Sequence, residues 1–238
     1  MSEKNKSVIS IILKIALIIS TTVGLFLAST AGNMSFKMNM LYFTTQSNLW
    51  IAAVDLVLLI MQIRGLKGGK CHLSRKAYLV QQVFTVSITL TGIVYCFVLV
   101  PVFVAGAGPV DNFNPFALKQ LLIHVVTPLL AIIDFVGFTR TEEFEKKESL
   151  WALLPPLYYL VFSLIGYFLN WDFGAGNNFP YFFVNYGSPV GLFGFGGPAP
   201  YFMGSFYWIV LLAAFVTLVS YIYIKAVNHL TEKYNNKI

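Results

Sequence analysis

Six stretches of the chain stay apolar for roughly the 20 residues that an α-helix needs to cross a bilayer: about 8–28, 42–63, 78–105, 117–139, 150–170 and 205–226. Short polar or basic segments separate them, and no stretch between them is long enough for a soluble domain. The pattern predicts an all-α polytopic membrane protein, a six-helix bundle that forms a single membrane domain over residues 1–238. The first run follows Met-Ser-Glu-Lys-Asn-Lys in the manner of a signal peptide, but it exceeds a signal peptide's apolar region and is read as a helix.

Composition agrees: 57% of residues are hydrophobic and 11% charged, and the mean hydropathy is +0.72. The net charge of +6 does not point to nucleic acid, because the basic residues lie between apolar runs rather than along one amphipathic face. They sort by loop instead. Lys4 and Lys6, then Arg64, Lys67, Lys70, Arg75 and Lys76, then Arg140, Lys146 and Lys147, and finally Lys225, Lys233 and Lys237 fall on one side, whereas the opposite connections contain only Lys37. The positive-inside bias therefore predicts both termini in the cytoplasm and a protein of the plasma (cytoplasmic) membrane. Cys71 and Cys96 belong to different depths and are expected as free thiols.

The last connection on the opposite side, about 171–204, has no Lys or Arg and is dense in Gly, Pro and aromatic residues. It suits an interfacial anchor or a lid over a lipid-accessible pocket.

Polar residues within the spans ask for partners. Lys14, Asp55 and Asp134 share a depth in the cytoplasmic half, where Lys14 can pair with one or both carboxylates and fasten the first, second and fourth helices. The same charges would serve a transporter or channel for a small or amphipathic solute. The other half contains Thr44, Thr45, Gln46, Ser47 and Asn48 within "LYFTTQSNLW", and His124 with Thr127 on the fourth span. Helix rise sets His124 roughly 10 Å below the end of its helix, within reach of Thr44. Pro128 lacks an N–H and leaves the His124 carbonyl without its helical partner, so a kink is expected there. A histidine that removes the proton from a threonine hydroxyl makes a nucleophile. The bland alternatives are a non-catalytic scaffold and a helix start whose polar side chains cap free N–H groups.

"YFTTQSN" at the start of the second span, His124 followed by Pro128, and "NNFPYFFVN" before the sixth resemble a bacterial six-transmembrane family distantly similar to the animal androgen-induced membrane proteins, which hydrolyse fatty acid esters of hydroxy fatty acids. The resemblance implies a lipid-ester hydrolase with Thr44 as nucleophile and His124 as base. Tyr42 before the pair favours Thr44, whereas alignment on Asn48 favours Thr45. Asn48 is implied as an oxyanion or orienting donor. The expected partners are membrane lipids or a lipid-like ester, with no nucleic acid, and the oligomeric state is left open. No motif for a cofactor or metal occurs, nor a GxSxG elbow, an HExxH pair or a phosphate-binding loop.

Overall fold

The computed structural model describes residues 3–30, 35–69, 73–106, 114–139, 143–174 and 176–235. Lys70, Cys71, His72, Arg140 and Lys237 lie outside them. Among the described residues, six helices are long and apolar enough to span a membrane: α1 (Lys4–Thr30), α2 (Phe43–Lys67), α3 (Arg75–Val104), α4 (Leu118–Phe138), α5 (Lys146–Phe168) and α6 (Ser205–Lys233). The protein is an all-α, multi-pass membrane bundle. Several helices run a turn or more past the apolar stretches at the basic end, because the helical hydrogen-bond ladder continues through Lys and Arg residues that suit a helix. Lys119, in the first turn of α4, adds a basic residue at the far end that the tally of loops passed over.

The helices alternate in direction, as side-chain bonds at the terminal end record. Gln62 of α2 donates to the Ser7 hydroxyl of α1 at 2.9 Å, Arg75 of α3 meets Glu148 of α5 at 2.5 Å, and the Asn228 amide of α6 donates to the Phe144 carbonyl before α5 at 2.9 Å. α3 is the central helix: 67% of its apolar window is buried, against 28–39% for the other five. Leu17, Ile51, Ile88 and Ala131 join α1 through α4 in one apolar cluster. A larger cluster, which includes Phe43, Leu90, Tyr159, Phe183 and Trp208, joins the remaining helices to the 171–204 segment.

Two of the spans are not regular. In α3 a π-helical turn occupies Tyr95–Leu99 just before Pro101, and in α4 another occupies Leu122–Val126 just before Pro128. The expected kink at Pro128 takes this form: the Thr127 N–H reaches back to the Leu122 carbonyl, widening the turn where proline supplies no donor. α3 and α4 approach closely here, and a Cβ on Gly92 would stand 2.8 Å from the His124 carbonyl oxygen and 3.2 Å from Pro128 Cγ. Only glycine fits that crossing.

The 171–204 segment folds over the end of the bundle away from the termini. Phe173, Phe183 and Val184 are buried in it. Phe193 and Phe195 remain more than 60% exposed. One part of the segment thus covers the helices while another presents rings outward, which fits both expected roles.

Candidate active site

The start of α2 is fixed from several sides. Tyr42, the residue before the helix, makes no side-chain cap bond, but its hydroxyl donates to the Phe173 carbonyl. The Tyr159 hydroxyl of α5 donates to the Leu41 carbonyl at 2.9 Å. None of the five polar residues of "TTQSN" caps the helix, contrary to the helix-start reading. The Thr44 N–H instead meets the hydroxyl of Tyr181, from the covering segment, at 3.4 Å.

Thr44 Oγ1 lies 3.4 Å from His124 Nε2 and 3.5 Å from the Tyr181 hydroxyl. The other ring nitrogen decides the tautomer. His124 Nδ1 is 3.1 Å from the Gln120 carbonyl oxygen, which can only accept, so Nδ1 carries the proton and Nε2 presents a lone pair to the threonine hydroxyl. The imidazole stacks on Tyr95 with ring centroids 3.8 Å apart and planes 12° apart, and the Tyr95 hydroxyl is tied to the Pro115 carbonyl at 2.9 Å. Both rings belong to the π-helical turns, so each proline-adjacent distortion supplies one member of the stack.

The geometry separates the two threonines. Thr44 is half-buried and faces His124, whereas Thr45 is buried, since one residue along a helix turns the side chain by about 100°. Asn48 stands beside Thr44 as helix spacing required, but its amide donates to the Thr44 carbonyl at 2.8 Å and the Ile123 carbonyl at 3.1 Å. Both amide hydrogens are spent, so Asn48 orients α2 against α4 and has no donor left for an oxyanion. Ser47 shares a hydrogen bond of 2.7 Å with Thr91 of α3, and Gln46 donates to the Met40 carbonyl at 2.9 Å. Thr127 does not join the site. Its hydroxyl donates to Ser20 of α1 at 3.0 Å and approaches Thr21 at 3.4 Å, because the wide turn between it and His124 breaks the usual i, i+3 alignment.

A cavity of about 100 Å³ opens beside Thr44. Tyr159 and Tyr181 line it near the threonine, with Leu157 and Leu160 of α5 on one wall and Ile209 and Leu212 of α6 on the other. Leu157 is 48% exposed and lies at the bundle surface, where lipid chains would be. Leu90 of α3 also lines the cavity. Tyr181 lies outside the spans, and burial raises its phenol above the usual range, which keeps it a neutral hydroxyl.

The second predicted group forms a separate network. Lys14 Nζ pairs with Asp134 Oδ2 at 2.5 Å and bonds to the Ser10 hydroxyl at 2.8 Å, while Ser10 donates to Asp134 Oδ1 at 2.5 Å. Asp55 is not the lysine's direct partner. It is reached through Gln81 of α3, whose amide donates to Asp55 Oδ1 at 3.1 Å and to Asp134 Oδ2 at 2.7 Å.

Sequence reasoning passed over Tyr181, Tyr95, Gln120, Gly92 and Gln81. Tyr181 sits inside the quoted "NNFPYFFVN", and Gln120 lies one helical turn before His124, so both had a local signal. Gln81, a polar residue within the third span, had the same signal as Thr44, whereas Tyr95 had none, because an apolar helix does not announce which of its faces meets the site. Comparisons of the chain with protein-family models, with curated proteins and with solved structures find no match.

Proposed function

We propose that the protein is an intramembrane lipid-ester hydrolase in which Thr44 is the nucleophile and His124 the general base. The observation that carries the reading is a threonine hydroxyl aimed at an unprotonated histidine nitrogen, on a threonine that lines an apolar cavity. An apolar chain entering between α5 and α6 would bring its ester carbonyl to Thr44. His124 Nε2 takes the hydroxyl proton as Oγ1 attacks the carbonyl, and the Tyr181 hydroxyl faces the oxygen on which negative charge develops. The tetrahedral adduct collapses as the imidazolium returns the proton to the departing alcohol. Water, activated by the same nitrogen, then releases the fatty acid and restores Thr44. A 3.4 Å contact is long for proton transfer, but catalytic hydrogen bonds in unliganded sites commonly tighten when substrate binds.

The resemblance in "YFTTQSN" and around His124 supports the same chemistry and favours fatty acid esters of hydroxy fatty acids as substrates. The distribution of Lys and Arg supports a plasma-membrane orientation with both termini cytoplasmic, which puts the threonine in the outer half. Its partners are then lipids of the outer leaflet.

The test is fatty acid release from a panel of long-chain esters by purified protein, with folding checked separately. Thr44→Ala and His124→Ala should each lower turnover about 100-fold or more, and the double variant should be scarcely worse, since residues acting as a unit are not additive. Thr45→Val and Ser47→Ala should keep substantial activity. Inactivity of the wild type on every ester, or full activity in both alanine variants, would sink the mechanism.

A further inference from the structure

Charge is not balanced in the network at the other end of the bundle. Lys14 is 1%, Asp55 0% and Asp134 2% exposed, so one ammonium serves two carboxylates. The groups that face them are Ser10 from α1 and Gln81 from α3, neither of which carries charge. An unneutralised carboxylate at such a depth is costly. Lys14 is already committed to Asp134 at 2.5 Å, which leaves Asp55 as the excess.

Buried oxygens on α2 and α3 bear a second, independent mark. Asp55 Oδ2, Gln81 Oε1 and Thr85 Oγ1 are all buried without a hydrogen-bond partner. Gln81 and Thr85 are each 0% exposed and lie four residues apart on α3, about one helical turn. Gln81 cannot turn its amide round to relieve the carbonyl, because its N–H₂ group already bridges both carboxylates. A carboxylate, an amide carbonyl and a hydroxyl make a set of hard oxygen donors.

We propose that this cluster is a binding site for one exchangeable monovalent cation, a sodium ion or a proton, with Asp55 as the anionic ligand and Gln81 and Thr85 as neutral ones. The cation restores neutrality. A sodium ion engages all three oxygens, whereas a proton on Oδ2 donates to one of the other two. The site is independent of ester hydrolysis and lies in the half of the bundle away from Thr44.

The test is thermal unfolding of the purified protein at constant ionic strength, with choline replaced by sodium up to about 150 mM and with pH varied from about 6 to 9. With sodium as occupant, the wild-type Tm rises by several degrees as sodium replaces choline, and Thr85→Val shifts the midpoint to roughly tenfold higher sodium. With a proton as occupant, the Tm ignores sodium and falls as pH rises, because the bound proton stabilises the fold only below its folded-state pKa. In either case Asp55→Asn removes the dependence. A wild-type Tm that responds to neither variable, or a response that Asp55→Asn retains, overturns the site. Should Asp55→Asn not fold, binding of radioactive sodium to the wild type and to Thr85→Val replaces it. Absence of saturable binding together with a Tm insensitive to pH then counts against the proposal.

Discussion

The proton on His124 Nδ1 is held by the Gln120 carbonyl, and that bond gives Nε2 its lone pair. The proposed base is thus prepared by a backbone atom on its own helix, with no carboxylate partner among the described residues. Such a histidine gains little help when it becomes imidazolium, so stabilisation of the oxyanion matters more. In the proposed mechanism Tyr181, 3.5 Å from Thr44 Oγ1, provides it. Tyr181→Phe is expected to lower kcat by about 10²-fold with little change in KM, as loss of one oxyanion donor does. Equal kinetics for Tyr181→Phe and wild type would remove it from the mechanism. Burial raises the Tyr181 phenol, so the hydroxyl stays protonated through mildly alkaline pH. The rate should show no loss from phenolate formation up to about pH 10, the ordinary tyrosine value.

Helices α3 and α4 reach the site through paired defects. Regular α-helices through Tyr95 and His124 would aim these rings by an even 100° step, whereas the π-helical turns before Pro101 and Pro128 shift both to a stack at 3.8 Å. Pro128→Ala returns an N–H to the ladder and lets the turn relax. The expected result is a protein at least as stable by thermal unfolding but at least about tenfold less active. Unchanged activity would mean that the turn has no part in aiming His124. Gly92→Val tests the crossing itself. The added carbon would fall 2.8 Å from the His124 carbonyl oxygen, so stability should fall by about 1–3 kcal/mol, the usual cost of overpacking.

At the scale of the molecule, the two polar centres are separate networks at opposite ends of the bundle. The Lys14–Asp134 pair links α1 to α4, and Gln81 extends the network to α3 and α2. Lys14→Met strands Asp134 and is expected to cost about 3–5 kcal/mol, whereas neutralising Lys14 and Asp134 together should cost less, because no buried charge then remains unpaired. Melting in detergent measures both, and equal losses would show that the pair does not act as one. The proposed orientation has its own test. A cysteine replacing Asn178, in a Cys96→Ala background, should react with an impermeant thiol reagent on intact cells, and native Cys71 only after permeabilisation. The reverse pattern would invert the topology.

Six spans and the bundle were legible in the sequence because hydrocarbon imposes length and apolarity on each helix separately. Thr44 and His124 were legible as well: each is a polar residue where lipid tolerates few, and helix rise gives their depths without reference to neighbours. The sequence by itself determined which residues are costly and how deep they sit. Rotation about each helix axis was another matter, because it depends on how neighbouring helices pack. Only the tertiary structure turned Thr44 rather than Thr45 toward His124, sent Thr127 to α1, spent the Asn48 amide on two carbonyls and gave Lys14 to Asp134 while leaving Asp55 to Gln81. Depth is set one helix at a time by the solvent, whereas facing is set between helices by side-chain volume, glycine crossings and proline-widened turns.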